Sequence, residues 1–214
     1  MSRYYPINLS LSGHEVLVVG GGEVACRKAE SLVACGAHVT VVSPEFCPEL
    51  ARLEGVRLIQ RRFEEHDVAG STLVFAATSD PEANRLVARA ARRRRVWVNV
   101  VDTPAECDFI VPASVARGDL VISVSTGSAS PALASRLRQQ IEELLPPSYA
   151  GYVALLGELR SEVLRRVASP ERRRSILTRL AEDATWRLFA ERGPDAVRHL
   201  ADSLVEASAP PETP

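Results

Sequence analysis

The fold is decided by the stretch Val16-Leu17-Val18-Val19-Gly20-Gly21-Gly22-Glu23-Val24-Ala25, an apolar run that ends in glycines and then opens a helical pattern. As G-x-G-x-x-A on Gly20, Gly22 and Ala25, it allows a sharp turn after a strand and a close approach of a pyrophosphate to the backbone. The phosphate would then meet the free N–H groups of the helix start. Because such a turn can also be plain structure, the residues that follow decide between the two interpretations.

Those residues predict a βαβ unit. A helix is expected over about residues 25–36 and a strand over residues 37–42. In the dinucleotide fingerprint an acidic residue at the end of this second strand binds the adenosine ribose, but here Ser43, Pro44 and Glu45 follow. A βαβ unit that binds no nucleotide is the alternative.

The nicotinamide cofactor favoured by this pattern is NAD, with NADP left open. Glu45 stands where it would reach a ribose hydroxyl. Ser43 instead leaves room for a 2′-phosphate, which Arg61 or Arg62 would meet.

Three further strands extend the predicted parallel sheet. They lie at residues 56–59, 71–77 and 96–101. Between the last two, Asp80 and Pro81 suit the N-cap and the first position of a helix. This alternation of strands and helices predicts an α/β fold with a parallel sheet of the Rossmann type.

Polar or small residues end several of these strands. Ligands of open parallel sheets bind beyond the carboxyl ends of the strands. The residues expected along that edge are Gly20, Ser43, Thr78 and Asp102. Asp102 is thereby a candidate catalytic residue, and the alternative is a loop aspartate that caps the turn before Pro104.

The pattern changes after the fifth strand. Residues 109–113 and the alternating residues 120–125 predict a small separate sheet. The loop Thr126-Gly127-Ser128-Ala129-Ser130-Pro131 follows, with Ser130 as the expected N-cap of a helix over residues 132–145. Its hydroxyls and free N–H groups would bind a carboxylate at the positive helix end, and a plain helix start is the alternative.

The last third of the chain is predicted to be helical. Three amphipathic helices are expected, over residues 152–167, 169–192 and 194–207. The proline-rich residues 209–214 predict a disordered tail.

Composition limits the classes of protein that fit. With 214 residues, 46% hydrophobic content and a net charge of -1, the chain suits one ordinary globular domain plus a smaller one. Its start lacks a signal-peptide core and no run reaches the roughly 20 apolar residues that cross a bilayer, so no membrane partner and a cytoplasmic location are expected. The four cysteines form no C-x-x-C pair, so we expect reduced thiols and no protein metal site.

The basic residues are 25 arginines and one lysine. The run at residues 92–95 ends a predicted helix, where cations suit the negative end of the macrodipole and are solvated. No aromatic interleaving or zinc pattern accompanies the run, so nucleic-acid binding is not expected. Arginines could instead bind a polycarboxylate ligand by bidentate pairing.

Six motifs occur in one order along the chain. They are Tyr5-Pro6, Gly20-Gly21-Gly22-Glu23-Val24-Ala25-x-Arg27-Lys28, Ala76-Ala77-Thr78, Asn99-Val100-Val101-Asp102, Phe109-Ile110-Val111-Pro112-Ala113 and Ser125-Thr126-Gly127-Ser128-Ala129-Ser130-Pro131. As a set they resemble precorrin-2 dehydrogenase, the dehydrogenase and chelatase module of siroheme synthase. The match by motif covers about residues 3–147.

The resemblance implies NAD-dependent oxidation of precorrin-2 to sirohydrochlorin for siroheme or cobalamin. In bifunctional members, ferrous iron is then inserted into the macrocycle. The resemblance also implies a homodimer with three parts. These are an NAD-binding Rossmann domain at residues 1–113, a small α+β dimerisation segment at 114–147 and a helical domain with the tail at 148–214.

Site residues carry over position by position. The family's catalytic aspartate falls on Asp102, which would act as general base. The expected cofactor-binding residues are Gly20, Gly22, Glu23, Val24, Ser43, Pro44, Glu45 and Thr78. The expected substrate-binding residues are Asn99, Ser125, Thr126, Ser128 and Ser130. Arg136 and Arg138 are either anchors for substrate carboxylates or surface residues.

Two other classes of function stay open. A nucleotide-sensing Rossmann module would keep the glycine turn at residues 20–22 but would not need Asp102 or the hydroxyl loop at residues 125–131. A dehydrogenase of another small substrate would turn over a small hydroxy acid and would not bind tetrapyrroles.

Overall fold

The structure is a computed structural model that describes residues 4–207. The chain forms two compact units, of which the first ends at Val111 and the second begins at Pro112. The predicted borders at residues 113 and 147 stay predictions. The predicted disordered tail lies outside the described residues.

The first unit contains a sheet of five parallel strands in the order β3-β2-β1-β4-β5. The strands are β1 (Glu15–Val19), β2 (His38–Ser43), β3 (Val56–Gln60), β4 (Leu73–Ala76) and β5 (Trp97–Val100). Each lies within two residues of its predicted bounds. The predicted Rossmann-type α/β fold is confirmed.

Helices cover both faces of this sheet. They are α1 (Glu23–Ala34), the short α2 (Pro48–Ala51) and α3 (Pro81–Arg93). Val16 and Val18 of β1 pack in the core on the α1 face, whereas Leu17 and Val19 pack in the core on the α3 face. Because both faces are buried, the strand reads as a continuous apolar run rather than an alternating one.

The second unit begins with an antiparallel hairpin of β6 (Ala113–Arg117) and β7 (Leu120–Val124). Helices complete the unit, and they are α4 (Pro131–Leu144), α5 (Tyr149–Arg166), α6 (Pro170–Leu180) and α7 (Asp183–Glu206). The small separate sheet is confirmed, but the strand predicted from residue 109 begins only at Ala113. Residues before it pair elsewhere, since the Phe109 carbonyl accepts a hydrogen bond from Asn99.

The single helix predicted over residues 169–192 is wrong. The chain leaves helical geometry between α6 and α7, where Glu182 has extended φ and ψ of -75° and 155°. Thr185, only 2% exposed, donates from its hydroxyl to the carbonyl oxygen of Arg179 at 2.9 Å and holds this break. The predicted break near residue 194 is present as a kink inside α7, at Gly193.

An apolar core joins the helices α5, α6 and α7. Leu159, Leu180 and Val197 are among its most buried members, and the hydroxyl of Tyr152 donates to the Leu180 carbonyl at 2.6 Å. Among the residues that the structure describes, no helix has the length and apolar character needed to cross a bilayer.

Candidate active site

The first glycine after β1 is required by the turn itself. Gly20 has a φ of +126°, and its N–H donates to the carbonyl of Val42 at 3.0 Å. A Cβ at this position would lie 2.3 Å from the carbonyl oxygen of Ala77. Only glycine therefore lets the chain turn here between the ends of β2 and β4.

The middle glycine is required by a close backbone approach. A Cβ on Gly21 would lie 1.8 Å from the carbonyl oxygen of Glu45 and 2.7 Å from the Ser43 hydroxyl. The N–H of Cys47 donates to the Gly21 carbonyl at 2.7 Å, which joins the two loops. The dinucleotide fingerprint allows any residue at this position, so the glycine at Gly21 is required by the fold and not by the fingerprint.

The third glycine is surrounded by open space. Apart from Gly22 and its two neighbours in the chain, no described residue has an atom within 4 Å of the place where Gly22 would carry a Cβ. Gly22 is the N-cap of α1 and gives the first turn no side-chain hydrogen bond. Ala25, in contrast, is fully buried. An uncapped helix start beneath open space is what a pyrophosphate needs, and the residues present fit a dinucleotide.

Two other predicted cofactor residues lie in the first turn of α1. Glu23 is exposed and Val24 is half-buried. Their contribution would come from the backbone N–H groups at the positive helix end, because an exposed glutamate side chain would repel a phosphate.

The loop after β2 carries the predicted adenosine-binding residues. Ser43 is 7% exposed, whereas Pro44 and Glu45 are exposed. Gln60, at the end of β3, donates from its amide to the Pro44 carbonyl at 3.3 Å. Glu45 is thus free to meet a ribose hydroxyl, on a loop fixed by Gly21 and Gln60.

Arg61 is occupied by an internal ion pair. Its guanidinium donates twice to the Asp67 carboxylate, at 2.8 and 2.5 Å, and the Asp67 side chain is only 6% exposed. Burial acts to raise the pKa of Asp67, but the bonds from Arg61 and from the Glu64 N–H outweigh it and hold that pKa below its usual value. Of the two arginines proposed for a 2′-phosphate, only Arg62 is left exposed.

Thr78, after β4, is held by a buried asparagine. Its hydroxyl donates to the Asn84 Oδ1 at 2.8 Å or to the Asp80 carbonyl at 3.0 Å, and its N–H also meets the Asn84 Oδ1 at 3.1 Å. The Asp80 side chain accepts from the Glu82 N–H, which confirms it as the N-cap of α3. Asn84 therefore shapes the loop that ends β4, a role without a sequence motif.

Asp102 lies in a tight turn directly beyond β5. The Thr103 N–H donates to the Val100 carbonyl at 3.2 Å, and Asp102 between them has a φ of +58°. A positive φ at the third residue of such a turn is typical of type II geometry, which aspartate tolerates better than most residues. Non-glycine residues held in such sparsely populated regions of φ and ψ are concentrated at functional sites of proteins.

Asn99, predicted to bind substrate, is 8% exposed. Its amide nitrogen donates to the Phe109 carbonyl at 2.9 Å. Substrate binding by Asn99 stays a prediction, and its contacts support a role in holding the segment after Asp102.

Backbone contacts also occupy the hydroxyl loop of the second unit. Hydroxyl oxygens of Ser125, Thr126 and Ser130 accept from the N–H groups of residues 127, 130 and 133, which confirms Ser130 as the N-cap of α4. Ser128 is exposed and has a φ of +69°. The hydroxyl hydrogens of this loop remain available to donate to an anion.

The two candidate arginines of α4 differ in their surroundings. Arg138 forms an ion pair with Glu142, which holds the pKa of that carboxyl below its usual value. Arg117 also reaches Glu142, at 3.6 Å, and donates to the Leu145 carbonyl at 2.7 Å. Arg136 is exposed and is the better candidate for a substrate carboxylate.

Metal ligands are not gathered within residues 4–207, where no group of three or more His, Cys, Asp or Glu side chains could hold an ion. All four cysteines, which are Cys26, Cys35, Cys47 and Cys107, are free thiols.

The glycine turn, the uncapped α1 and the parallel sheet define a dinucleotide-binding domain of the Rossmann type. Residues 7–113 match the family model described as "Putative NAD(P)-binding", and residues 117–144 match the model described as "Sirohaem biosynthesis protein central". The chain belongs to this putative NAD(P)-binding family, and the match to the second model begins after the first one ends.

Known relatives agree with both matches. The chain is 40% identical over 206 residues to a siroheme synthase of Thioalkalivibrio sulfidiphilus, covering 95% of this chain and 42% of that protein. It is 46% identical over 172 residues to a siroheme synthase of Methylobacillus flagellatus, covering 79% of this chain and 37% of that protein. The chain thus spans about two fifths of the length of these curated relatives.

A solved structure matches nearly the whole chain. It is named "SirC, precorrin-2 dehydrogenase" and aligns with a TM-score of 0.76 and 28% identity, covering 94% of this chain and 100% of that one. The resemblance to precorrin-2 dehydrogenase and to the siroheme synthase module is confirmed.

Proposed function

We propose that this protein oxidises precorrin-2 to sirohydrochlorin with NAD as the acceptor. The observation that carries the proposal is the likeness along the whole chain to a protein named precorrin-2 dehydrogenase. The sirohaem biosynthesis segment at residues 117–144 and the siroheme synthase relatives support the same tetrapyrrole substrate. A dehydrogenase of a small hydroxy acid would need no such segment.

The strand order brings the glycine turn and Asp102 to the same edge of the sheet. Beyond β1 lies the glycine turn, and beyond β5 lies Asp102, with only β4 between those strands. When bound, NAD supplies a hydride acceptor. The macrocycle loses two electrons and one proton as that hydride, and the Asp102 carboxylate takes the second proton as general base.

The cofactor preference in this proposal is for NAD over NADP. Arg61 is paired with the buried Asp67, so it is not free to bind a 2′-phosphate. Glu45 is exposed beside the buried Ser43 and would accept a hydrogen bond from a ribose hydroxyl while repelling a phosphate there. Gly20, Gly22, the first turn of α1 and the Thr78 loop would hold the remainder of the cofactor.

Substrate carboxylates would be bound by the hydroxyl loop of the second unit. Ser125, Thr126, Ser128 and Ser130 can each donate a hydroxyl hydrogen, and Arg136 of the following helix adds an exposed cation. Ferrous iron, where it is used, would be a second substrate. It would enter through the nitrogens of the macrocycle, with Asp102 taking the protons that those nitrogens release.

The proposal includes a homodimer built on the segment at residues 114–147. Two strands form a marginal sheet on their own, and one face of the β6–β7 hairpin is exposed. Val121 is 49% exposed on that face, and Leu133 and Leu144 are exposed on α4. A second copy would cover such apolar side chains.

The four free thiols fit a cytoplasmic location.

The test is an anaerobic absorbance assay of the purified protein with precorrin-2 and either NAD or NADP, followed by addition of ferrous iron. We expect turnover with NAD and a lower kcat/KM with NADP. An iron-dependent change above the rate without enzyme would add the chelatase. Folded protein that binds the nucleotide but turns over neither cofactor would instead support a nucleotide-sensing module.

A further inference from the structure

A cysteine thiol closes the turn that carries Asp102. The Sγ of Cys107 lies 3.2 Å from the Val100 carbonyl and 3.4 Å from the Thr103 carbonyl, so its hydrogen has an acceptor on each side of Asp102. The sulfur also accepts from the Val100 N–H at 3.1 Å. Asn99 adds a longer contact from its amide nitrogen, at 3.6 Å.

The segment that carries this thiol is itself anchored. The Asp108 N–H donates to the Val98 carbonyl at 2.9 Å, and the Asp108 carboxylate accepts from the Val98 N–H at 3.0 Å. On the other side, Arg92 at the end of α3 donates to the Glu106 carbonyl at 2.8 Å. Arg92 thus has a partner in the fold, although its run was predicted to be a solvated helix end. Cys107 is held from both sides.

Burial keeps the thiol in the form that can donate. Burial is the main reason that the pKa of Cys107 is raised above its ordinary value. The protonated thiol therefore persists at neutral pH, with its hydrogen directed to a carbonyl of the turn. It is a structural thiol rather than a reactive one.

We propose that Cys107 is a positioning residue for Asp102, because its thiol ties Val100 to Thr103 and keeps the turn between them in the conformation that presents the carboxylate. This inference rests on the proposed function, in which Asp102 is the base. The positive φ of Asp102 is a conformation that few non-glycine residues adopt unless the surroundings impose it. The thiol of Cys107 contacts both sides of this turn, in addition to the hydrogen bond from the Thr103 N–H to the Val100 carbonyl.

Four variants test the proposal. Cys107→Val fills a similar volume but removes all hydrogen bonding, whereas Cys107→Ser keeps a donor and an acceptor on a shorter bond. Cys35→Ala is the matched control, since Cys35 is an exposed thiol at the end of α1. Cys107→Ala carries the same expectation as the valine variant if valine disturbs the packing.

In steady-state assays below the unfolding temperature, we expect Cys107→Val to lower kcat by about tenfold or more, because small displacements of a catalytic group are costly. The KM for NAD should stay unchanged, since the glycine turn is untouched. Cys107→Ser should recover part of kcat, and Cys35→Ala should match the wild type. A valine or alanine variant with wild-type kcat would overturn the proposal.

Hydrogen–deuterium exchange separates this proposal from the proposed function. In Cys107→Val we expect faster exchange of the Val100 and Thr103 amides, while amides of β1 stay protected. If the wild-type protein does not turn over precorrin-2, the proposed function fails. The exchange rates of these two amides then test on their own whether Cys107 holds the turn. Unchanged exchange at both amides would refute the positioning role.

Discussion

At the scale of single residues, the three consecutive glycines have different physical reasons. Gly20 and Gly21 are required by protein atoms, because an added Cβ would meet a carbonyl oxygen at 2.3 and 1.8 Å. Gly22 has an ordinary extended conformation and open space above it. We therefore expect its lack of a side chain to serve a bound pyrophosphate rather than the fold.

This difference predicts opposite outcomes for two variants. Gly22→Val should leave the thermal unfolding midpoint close to that of the wild type and weaken NAD binding by about tenfold or more, because the side chain enters the space for the pyrophosphate. Gly21→Ala should instead lower stability by about 1–3 kcal/mol through the clash with the Glu45 carbonyl. Isothermal titration measures the NAD affinity of each variant, and thermal unfolding measures its stability. Full NAD affinity in folded Gly22→Val would contradict the phosphate site.

Asp102→Asn is the appropriate variant for the proposed base. Asparagine tolerates a positive φ, so the turn is kept while the charge is lost, whereas alanine would add strain. We expect kcat to fall by at least about 100-fold with NAD affinity unchanged. Retained turnover would remove Asp102 from the general-base role.

At the scale of elements, the ion pair between Arg61 and Asp67 fixes the segment after β3. The pKa of Asp67 is lowered in the fold, so the stability it contributes is present above its unfolded pKa of about 3.9 and is lost as the pH falls through the lower folded value. Arg61→Ala should therefore destabilise the protein at neutral pH, with the difference from the wild type closing as the pH falls through the folded pKa of Asp67.

The same variant checks the cofactor assignment. Arg61→Ala should leave the ratio of kcat/KM for NAD and NADP unchanged, because its guanidinium is already bound to Asp67. Arg62→Ala, at the exposed neighbour, is the matched comparison. A selective loss of NADP use in Arg61→Ala would show that the ion pair opens to bind a 2′-phosphate.

The elements that the sequence predicts well are those with a local signal. Buried parallel strands appear as apolar runs, and the start of α4 is marked by Ser130 followed by Pro131. The break between α6 and α7 has no glycine or proline and depends on the buried Thr185. A sequence pattern predicts a continuous helix there because a tertiary contact, not propensity, ends it.

The residues of the candidate site also divide into those with a local sequence signal and those that depend on tertiary contacts. Gly20, Gly22 and Asp102 were expected in the site because they follow strand ends, and the structure has them beyond the carboxyl ends of β1 and β5, while their roles stay predictions. Asn84, Gln60 and Cys107 form hydrogen bonds with backbone atoms of other segments, and ordinary residue types at ordinary spacing do not reveal such contacts. For Cys107, the sequence offers only its position five residues after Asp102.

At the scale of the whole molecule, the proposed homodimer rests on the apolar side chains that the second unit leaves exposed. We expect the protein to have about twice the mass of one chain in light scattering. Val121→Asp should shift it toward the monomer, because a charge would be buried at the interface. Ala190→Asp, an exposed position on α7, is the control that should keep the dimer. A monomeric wild type would contradict the proposed homodimer.

The most direct test of the central claim follows NADH and sirohydrochlorin together in one anaerobic reaction of wild-type protein with precorrin-2 and NAD. Oxidation by hydride transfer predicts that the two products appear at equal rates and in equal amounts. Folded protein that binds NAD yet forms neither product would contradict the assignment as a precorrin-2 dehydrogenase.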